Sequence, residues 1–99
     1  MTRQERRASP RFPAKPGSHV IYVEGSGGIR DLSLEGVFVL DSEPLSVDTT
    51  LRFSLRLGSK IIELQGIVRR SVPNEGMAIQ FTEISLEAKR HLRLYIASL

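Results

Sequence analysis

Two short groups of residues in this 99-residue chain have the types and spacing to do chemistry. The first is Arg7-Ala8-Ser9-Pro10-Arg11, with Arg6 directly before it. A guanidinium pairs with phosphate through two hydrogen bonds and stacks on flat π systems. It also pairs with O6 and N7 of guanine. Pro10 and Pro13 oppose a helix here, and four residues of extended chain span up to about 13–14 Å. Arg7 and Arg11 can therefore close on one ligand from different sides. The second group is Asp31-Leu32-Ser33-Leu34-Glu35-Gly36. On a strand, Asp31 and Ser33 share one face while Leu32 and Leu34 turn to the core. A carboxylate accepts from the N1–H and amine of guanine, and a hydroxyl donates to phosphate or accepts from a base. Gly36 can take positive φ, which would end the strand and let a ligand approach the backbone. A compact ligand carrying guanines and phosphates would use all of these groups. Each also has an ordinary reading: a solvated charge run for the first, a polar strand end with a glycine turn for the second.

Other chemistry is poorly provided for. Without cysteine there is no disulfide, thiolate nucleophile or cysteine metal site. His19 and His91 have no second histidine or carboxylate at ligand spacing, so no metal is expected. Asp31 and Ser33 lack the base and oxyanion hole of a hydrolase, and nothing matches the context of a nucleophile elbow. Gly25-Ser26-Gly27-Gly28 lacks the Lys-Ser/Thr ending of a phosphate loop and reads as a hairpin turn. The expectation is a binding protein with no catalytic residues, no cofactor and no metal.

The elements that must position these groups are mostly strands. Residues 1–16 hold Arg3, Arg6, Arg7, Arg11 and Lys15 against Glu5, which exceeds the net charge of +3 of the whole chain. With Pro10, Pro13 and Pro16, this segment reads as an extended, flexible, arginine-rich arm that concentrates the anion-binding potential. The segment from 17 to 82 reads as the barrel. Strands are expected at His19–Val23, Ile29–Ser33, Val37–Asp41, Leu51–Leu57, Lys60–Val72 and Met77–Phe81. Leu51-Arg52-Phe53-Ser54-Leu55-Arg56-Leu57 alternates strictly, one face dry and one wet. Gly66, inside the long strand, marks a bend or bulge. Asp41–Asp48 is a loop, and Gly58-Ser59 and Pro73–Gly76 are turns. Ser85 then caps a helix over 85–98, with Glu87 in its first turn and Leu86, Leu92, Tyr95, Ile96 and Leu99 at helical spacing. The fold class is mainly β: a small six-stranded antiparallel barrel with a C-terminal helix, one domain in all. No apolar run is long enough to span a bilayer, and none near the N-terminus resembles a signal peptide, so a cytoplasmic location is expected.

Taken in order, the two groups resemble the PilZ domain. That family carries RxxxR in an N-terminal arm, matched by Arg7 and Arg11, and (D/N)xSxxG on the barrel, matched by Asp31, Ser33 and Gly36. Gly66-Ile67-Val68 and Gly76-Met77-Ala78-Ile79-Gln80-Phe81 look like its later strands, so the resemblance covers nearly the whole chain. Ala78 stands where a second glycine is common, which bears on local packing or ligand fit.

The resemblance implies a bacterial receptor for the second messenger cyclic di-GMP. Arg7 and Arg11 would contact guanine and phosphate, Asp31 and Ser33 would read a guanine edge, and Gly36 would shape the turn. In the family an arginine directly before the motif accompanies a stacked pair of ligands, so Arg6 implies two cyclic di-GMP per protomer. The arm would be loose without ligand and fold over it. A lone sensor implies a protein partner, with the helix face near Arg90 and Arg93 and the arm itself as candidate surfaces. Two alternatives remain: a PilZ-like protein-interaction module that does not bind the nucleotide, and a basic barrel that binds nucleic acid. The second is disfavoured because the strands lack a clustered aromatic platform; Phe53 and Phe81 read as buried.

Overall fold

Alternation of apolar and polar residues shapes most of the chain. The computed structural model describes residues 10–99. Its strands are β1 (Phe12–Pro13), β2 (His19–Tyr22), β3 (Gly25–Leu32), β4 (Gly36–Leu40), β5 (Thr50–Leu57), β6 (Lys60–Val72) and β7 (Gly76–Glu83), followed by the helix α1 (Leu86–Ala97). The strands hydrogen-bond in the order β1-β3-β2-β5-β6-β7-β4, and β4 pairs back with β3. That last pairing closes β2 to β7 into a six-stranded barrel with β1 as an extra strand. Closure removes the exposed edges that an open sheet would present. All pairings are antiparallel.

The core follows the period of two. Phe53, Leu55 and Leu57 on β5 point inward beside Val20 and Tyr22 on β2 and Ile62 and Leu64 on β6, and all are buried. β6 pairs with β5 through Lys60–Ile67 and with β7 through Gln65–Val72. It changes partners where its register with β7 shifts at Gln65/Gly66. The expected bend at Gly66 is thus present, at a site where a Cβ would meet Ile79 Cγ2 at 2.5 Å. Tyr22 donates a hydrogen bond to Asp41, tying the end of β2 to the residue after β4. Burial first, then the Asp41 carboxylate, pushes its phenol far above the usual value.

α1 begins at Ser85, whose hydroxyl accepts from the Ala88 amide at 3.0 Å. Ala88 and Leu92 are buried, and Tyr95 and Ile96 pack against the core cluster. The sequence placed Leu86 on the same stripe, but it is 87% exposed. As the first helical residue it lies beyond the barrel wall, and Ala88 fills the contact instead.

Two further expectations are corrected. The glycines at 25–28 are strand, not turn: the hairpin reverses at Val23-Glu24, and Tyr22 pairs with Gly25. The strand needs small residues there because a Cβ on Gly27 would fall 1.9 Å from the Leu40 carbonyl oxygen. Phe81 is only half-buried, although its ring centroid lies 6.1 Å from that of the buried Phe53.

Candidate functional site

β1 brings the arm's end onto the barrel. Phe12 pairs with Leu32 and Pro13 with Asp31. Proline is tolerated because β1 is an edge strand. This places Arg11 beside Asp31, with Nε donating to Oδ1 at 2.6 Å. The first and second sequence groups therefore meet at one ion pair. Arg6 and Arg7 lie outside the described residues.

Asp31 also accepts from Nε of Arg30 at 2.9 Å, through its other carboxylate oxygen. Burial alone would raise the Asp31 pKa, but the hydrogen bonds from Arg30 and Arg11 and their positive charges outweigh it and hold the carboxyl below its ordinary value. Asp31 is thus ionised and already bridges two cations.

Ser33 and Gly36 occupy less exposed positions than the sequence suggested. β3 ends at Leu32, and Ser33 is 2% exposed. Its hydroxyl accepts from the Glu35 amide at 3.0 Å, and its own amide donates to the Gly36 carbonyl at 2.9 Å. These two bonds build the β3–β4 turn. Gly36 opens β4 and is not among the positive-φ glycines, which are Gly17 and Gly58. Space, not φ, demands glycine there: a Cβ would lie 2.6 Å from the Ile79 carbonyl oxygen of β7. In this geometry Asp31 is the group of the second motif that faces outward, while Ser33 and Gly36 shape the turn that presents it.

The sequence also hid a neighbouring cluster. Asp31 pairs across with Phe38, Phe38 with Ala78, and Ala78 with Arg70, one row over four strands. Phe38 lies outside the barrel core cluster yet is 2% exposed. The Arg30 guanidinium carbon covers its ring at 3.8 Å from the centroid, and that of Arg70 lies at 5.9 Å. Register shifts at Ile29/Asp31 and Val68/Arg70 explain the placement. Each acts as a β-bulge that turns two successive side chains outward: Arg30 with Asp31, and Arg69 with Arg70. Strict alternation would have sent one of each pair inward.

Arm and helix also meet. The Lys15 amide donates to the Tyr95 hydroxyl at 2.9 Å, and that hydroxyl shares a 2.6 Å hydrogen bond with Ser18. Lys15 Nζ donates to Ser98 Oγ at 3.0 Å.

Elsewhere, His91 does have a carboxylate neighbour, against the sequence reading: Nε2 lies 3.8 Å from Glu87 Oε2, one helical turn away. No group of three or more metal-binding side chains occurs among the described residues. A groove of about 490 Å³ runs between β2, β5, β6 and Ile84–Ser85, lined by Ile21, Val23, Arg52 and Glu63 among others, and it contains none of the motif residues. Among the described residues no helix is long and apolar enough to cross a membrane.

The described residues form a closed six-stranded barrel with one extra strand and a C-terminal helix, and the Arg11–Asp31–Arg30 cluster lies on its outer face. The PilZ domain family model matches residues 3–98, and the chain belongs to that family of cyclic di-GMP receptor-type domains, which are binding and adaptor modules rather than enzymes. Among solved structures, the chain is similar to an uncharacterised protein of Legionella, Lpg0364, at 19% identity and a TM-score of 0.66, over 90% of this chain and 91% of that one. It is also similar to the inhibitor of motility of Bacillus subtilis, MotI/DgrA, at 24% identity and a TM-score of 0.73. That match covers 91% of this chain and 48% of the Bacillus chain, so this chain spans about half its length. A search of curated proteins finds no match.

Proposed function

We propose that this chain is a receptor for cyclic di-GMP that acts as an adaptor through a protein partner. The observation that carries the reading is the Arg11–Asp31 ion pair, which joins the two halves of the family motif at one point on the barrel. Arg11 and Arg30 both bond Asp31 through Nε, so their outer Nη groups are oriented for phosphate or guanine O6 and N7. A guanine that brings its N1–H and amine to Asp31 displaces Arg11, which is held there by that one bond, toward the ligand's phosphates. Arg7 joins from the other side, and Arg6 supplies the charge for a second, stacked ligand molecule. The Ser33 hydroxyl keeps a donor hydrogen while it holds the turn.

Output runs through the arm. Lys15 lies four residues after Arg11 and bonds Tyr95 on α1. Ordering of the arm around ligand therefore tightens the contact with the helix whose outer side carries Arg90 and Arg93. The receptor works in the cytoplasm, where cyclic di-GMP is made and read.

Calorimetric titration with cyclic di-GMP, with GMP and a linear guanine dinucleotide as controls, tests this. Saturable binding at two ligands per chain, absent for the controls, is expected. Saturation at one ligand refutes the role given to Arg6, and absence of binding at high micromolar ligand refutes the receptor. One observation favours a second reading, a protein-interaction module without nucleotide: both Asp31 oxygens are already engaged by the chain's own arginines. Failure of the titration would support it.

A further inference from the structure

We infer that Arg30, held over the Phe38 ring, forms a stacking platform for a guanine base of the ligand, with Arg70 beside it for a phosphate, an extension of the site outside both motifs. The inference rests on the cyclic di-GMP reading above. Three observations carry it.

The first is the pair of bulges. β3 and β6 are not neighbours; β4 and β7 lie between them. Both are bulged at the same row, and each bulge sends an extra arginine outward over the one aromatic ring of that row. A bulge disrupts ladder hydrogen bonding locally and recurs where a side chain must be re-aimed. Two bulges converging on one ring concentrate positive charge where a purely structural cover needs none, since a leucine or methionine would shield Phe38 as well.

The second is the degree of preorganisation. Arg30 is fixed at two points, by its Nε bond to Asp31 and by the 3.8 Å approach of its guanidinium to Phe38. Its side chain nevertheless keeps 48% of its exposure. A guanidinium stacked on an aromatic ring has a second flat face, and that face suits a planar base. The rotamer entropy usually lost on binding has already been spent in folding.

The third is position. Arg30 touches the same carboxylate as Arg11. The row from Asp31 to Arg70 crosses three interstrand gaps, roughly 14 Å along the sheet. A base hydrogen-bonded at Asp31 therefore has Arg30 within stacking reach, and Arg70 lies further along for a phosphate.

The test is titration of cyclic di-GMP into the wild-type chain and its Arg30→Ala, Arg30→Lys and Arg70→Ala variants, with thermal melts alongside. The expected result is at least tenfold weaker binding for Arg30→Ala and at least threefold for Arg70→Ala. Arg30→Lys, which keeps the charge and loses the plane, should recover less than half of the lost binding free energy. A melting temperature near wild type in Arg30→Lys separates ligand contact from mere covering of Phe38. Wild-type binding with unchanged affinity in Arg30→Ala overturns the platform and leaves the receptor reading standing. Full recovery in Arg30→Lys overturns stacking in favour of charge alone. Absence of wild-type binding overturns the receptor reading and the platform with it.

Discussion

The two sides of this barrel are built differently. On the side formed by β2, β5 and the first half of β6, register runs unbroken: His19 to Tyr22 pair with Arg56 to Phe53, and Thr50 to Leu57 with Ile67 to Lys60. Residues alternate, the inner ones are buried, and the wall stabilises the molecule. On the side formed by β3, β4, β7 and the second half of β6, the register shifts at Ile29/Asp31, Gln65/Gly66 and Val68/Arg70. Glycines at 27, 36, 66 and 76 sit where a Cβ would collide with a neighbouring strand. The charged cluster lies on the irregular side. Regular pairing provides stability, and departures from it place two outward side chains in succession, which a strict period of two cannot do.

Substitutions should separate the two walls. The largest effect is expected in the regular one: Leu55→Ala, at a fully buried position, should cost about 2–5 kcal/mol of stability. Denaturant unfolding measures it, and affinity for cyclic di-GMP should stay within twofold of wild type while the domain is folded. On the irregular wall, Arg11→Ala and Asp31→Ala should each abolish binding at low-micromolar ligand with the fold intact. Loss of one bidentate contact is worth about 1–3 kcal/mol, or roughly tenfold to a hundredfold in affinity. Unchanged affinity in either variant would remove that residue from the site. Gly36→Ala should lower stability by about 1–3 kcal/mol, because the new methyl meets the Ile79 carbonyl; a thermal melt reads it.

Smaller effects probe the links between regions. Tyr95→Phe removes the hydroxyl shared by Lys15 and Ser18 and should cost about 0.5–1.5 kcal/mol, with faster amide exchange at Lys15 as its signature. The smallest effect is that of pH. The Asp31 pKa is lowered in the folded chain, so its ion pairs add stability above the ordinary carboxylate value of about 4. That contribution is lost as pH falls through and below this range. The stability difference between wild type and Asp31→Asn should therefore be largest near neutrality and vanish at low pH.

The contrast between walls also explains what the sequence revealed. Leu51–Leu57 reads directly as a strand because its alternation matches the regular wall, and Ser85 reads as a cap because its hydroxyl serves a local amide. The meeting of Arg11 with Asp31 was legible only as a motif, since nothing in composition brings residues twenty apart together. Gly25–Gly28 misled because glycine marks turns more often than strands crowded by a neighbouring carbonyl. Leu86 misled because its spacing fits the helix while its place at the first turn overshoots the wall. Arg30 and Arg70 were not legible at all. Their outward positions depend on bulges, which no period in the sequence announces. The same bulges account for Phe38, which is buried under arginines rather than inside the barrel.

Amide chemical-shift mapping with cyclic di-GMP tests the central claim most directly, because it reads both walls in one titration. The account predicts saturable shifts at Arg11, Arg30, Asp31, Phe38 and Arg70, with Ile21, Ser54 and Arg56 unmoved. Absence of saturable shifts, or the largest shifts at the groove around Ile21 and Glu63, would contradict it.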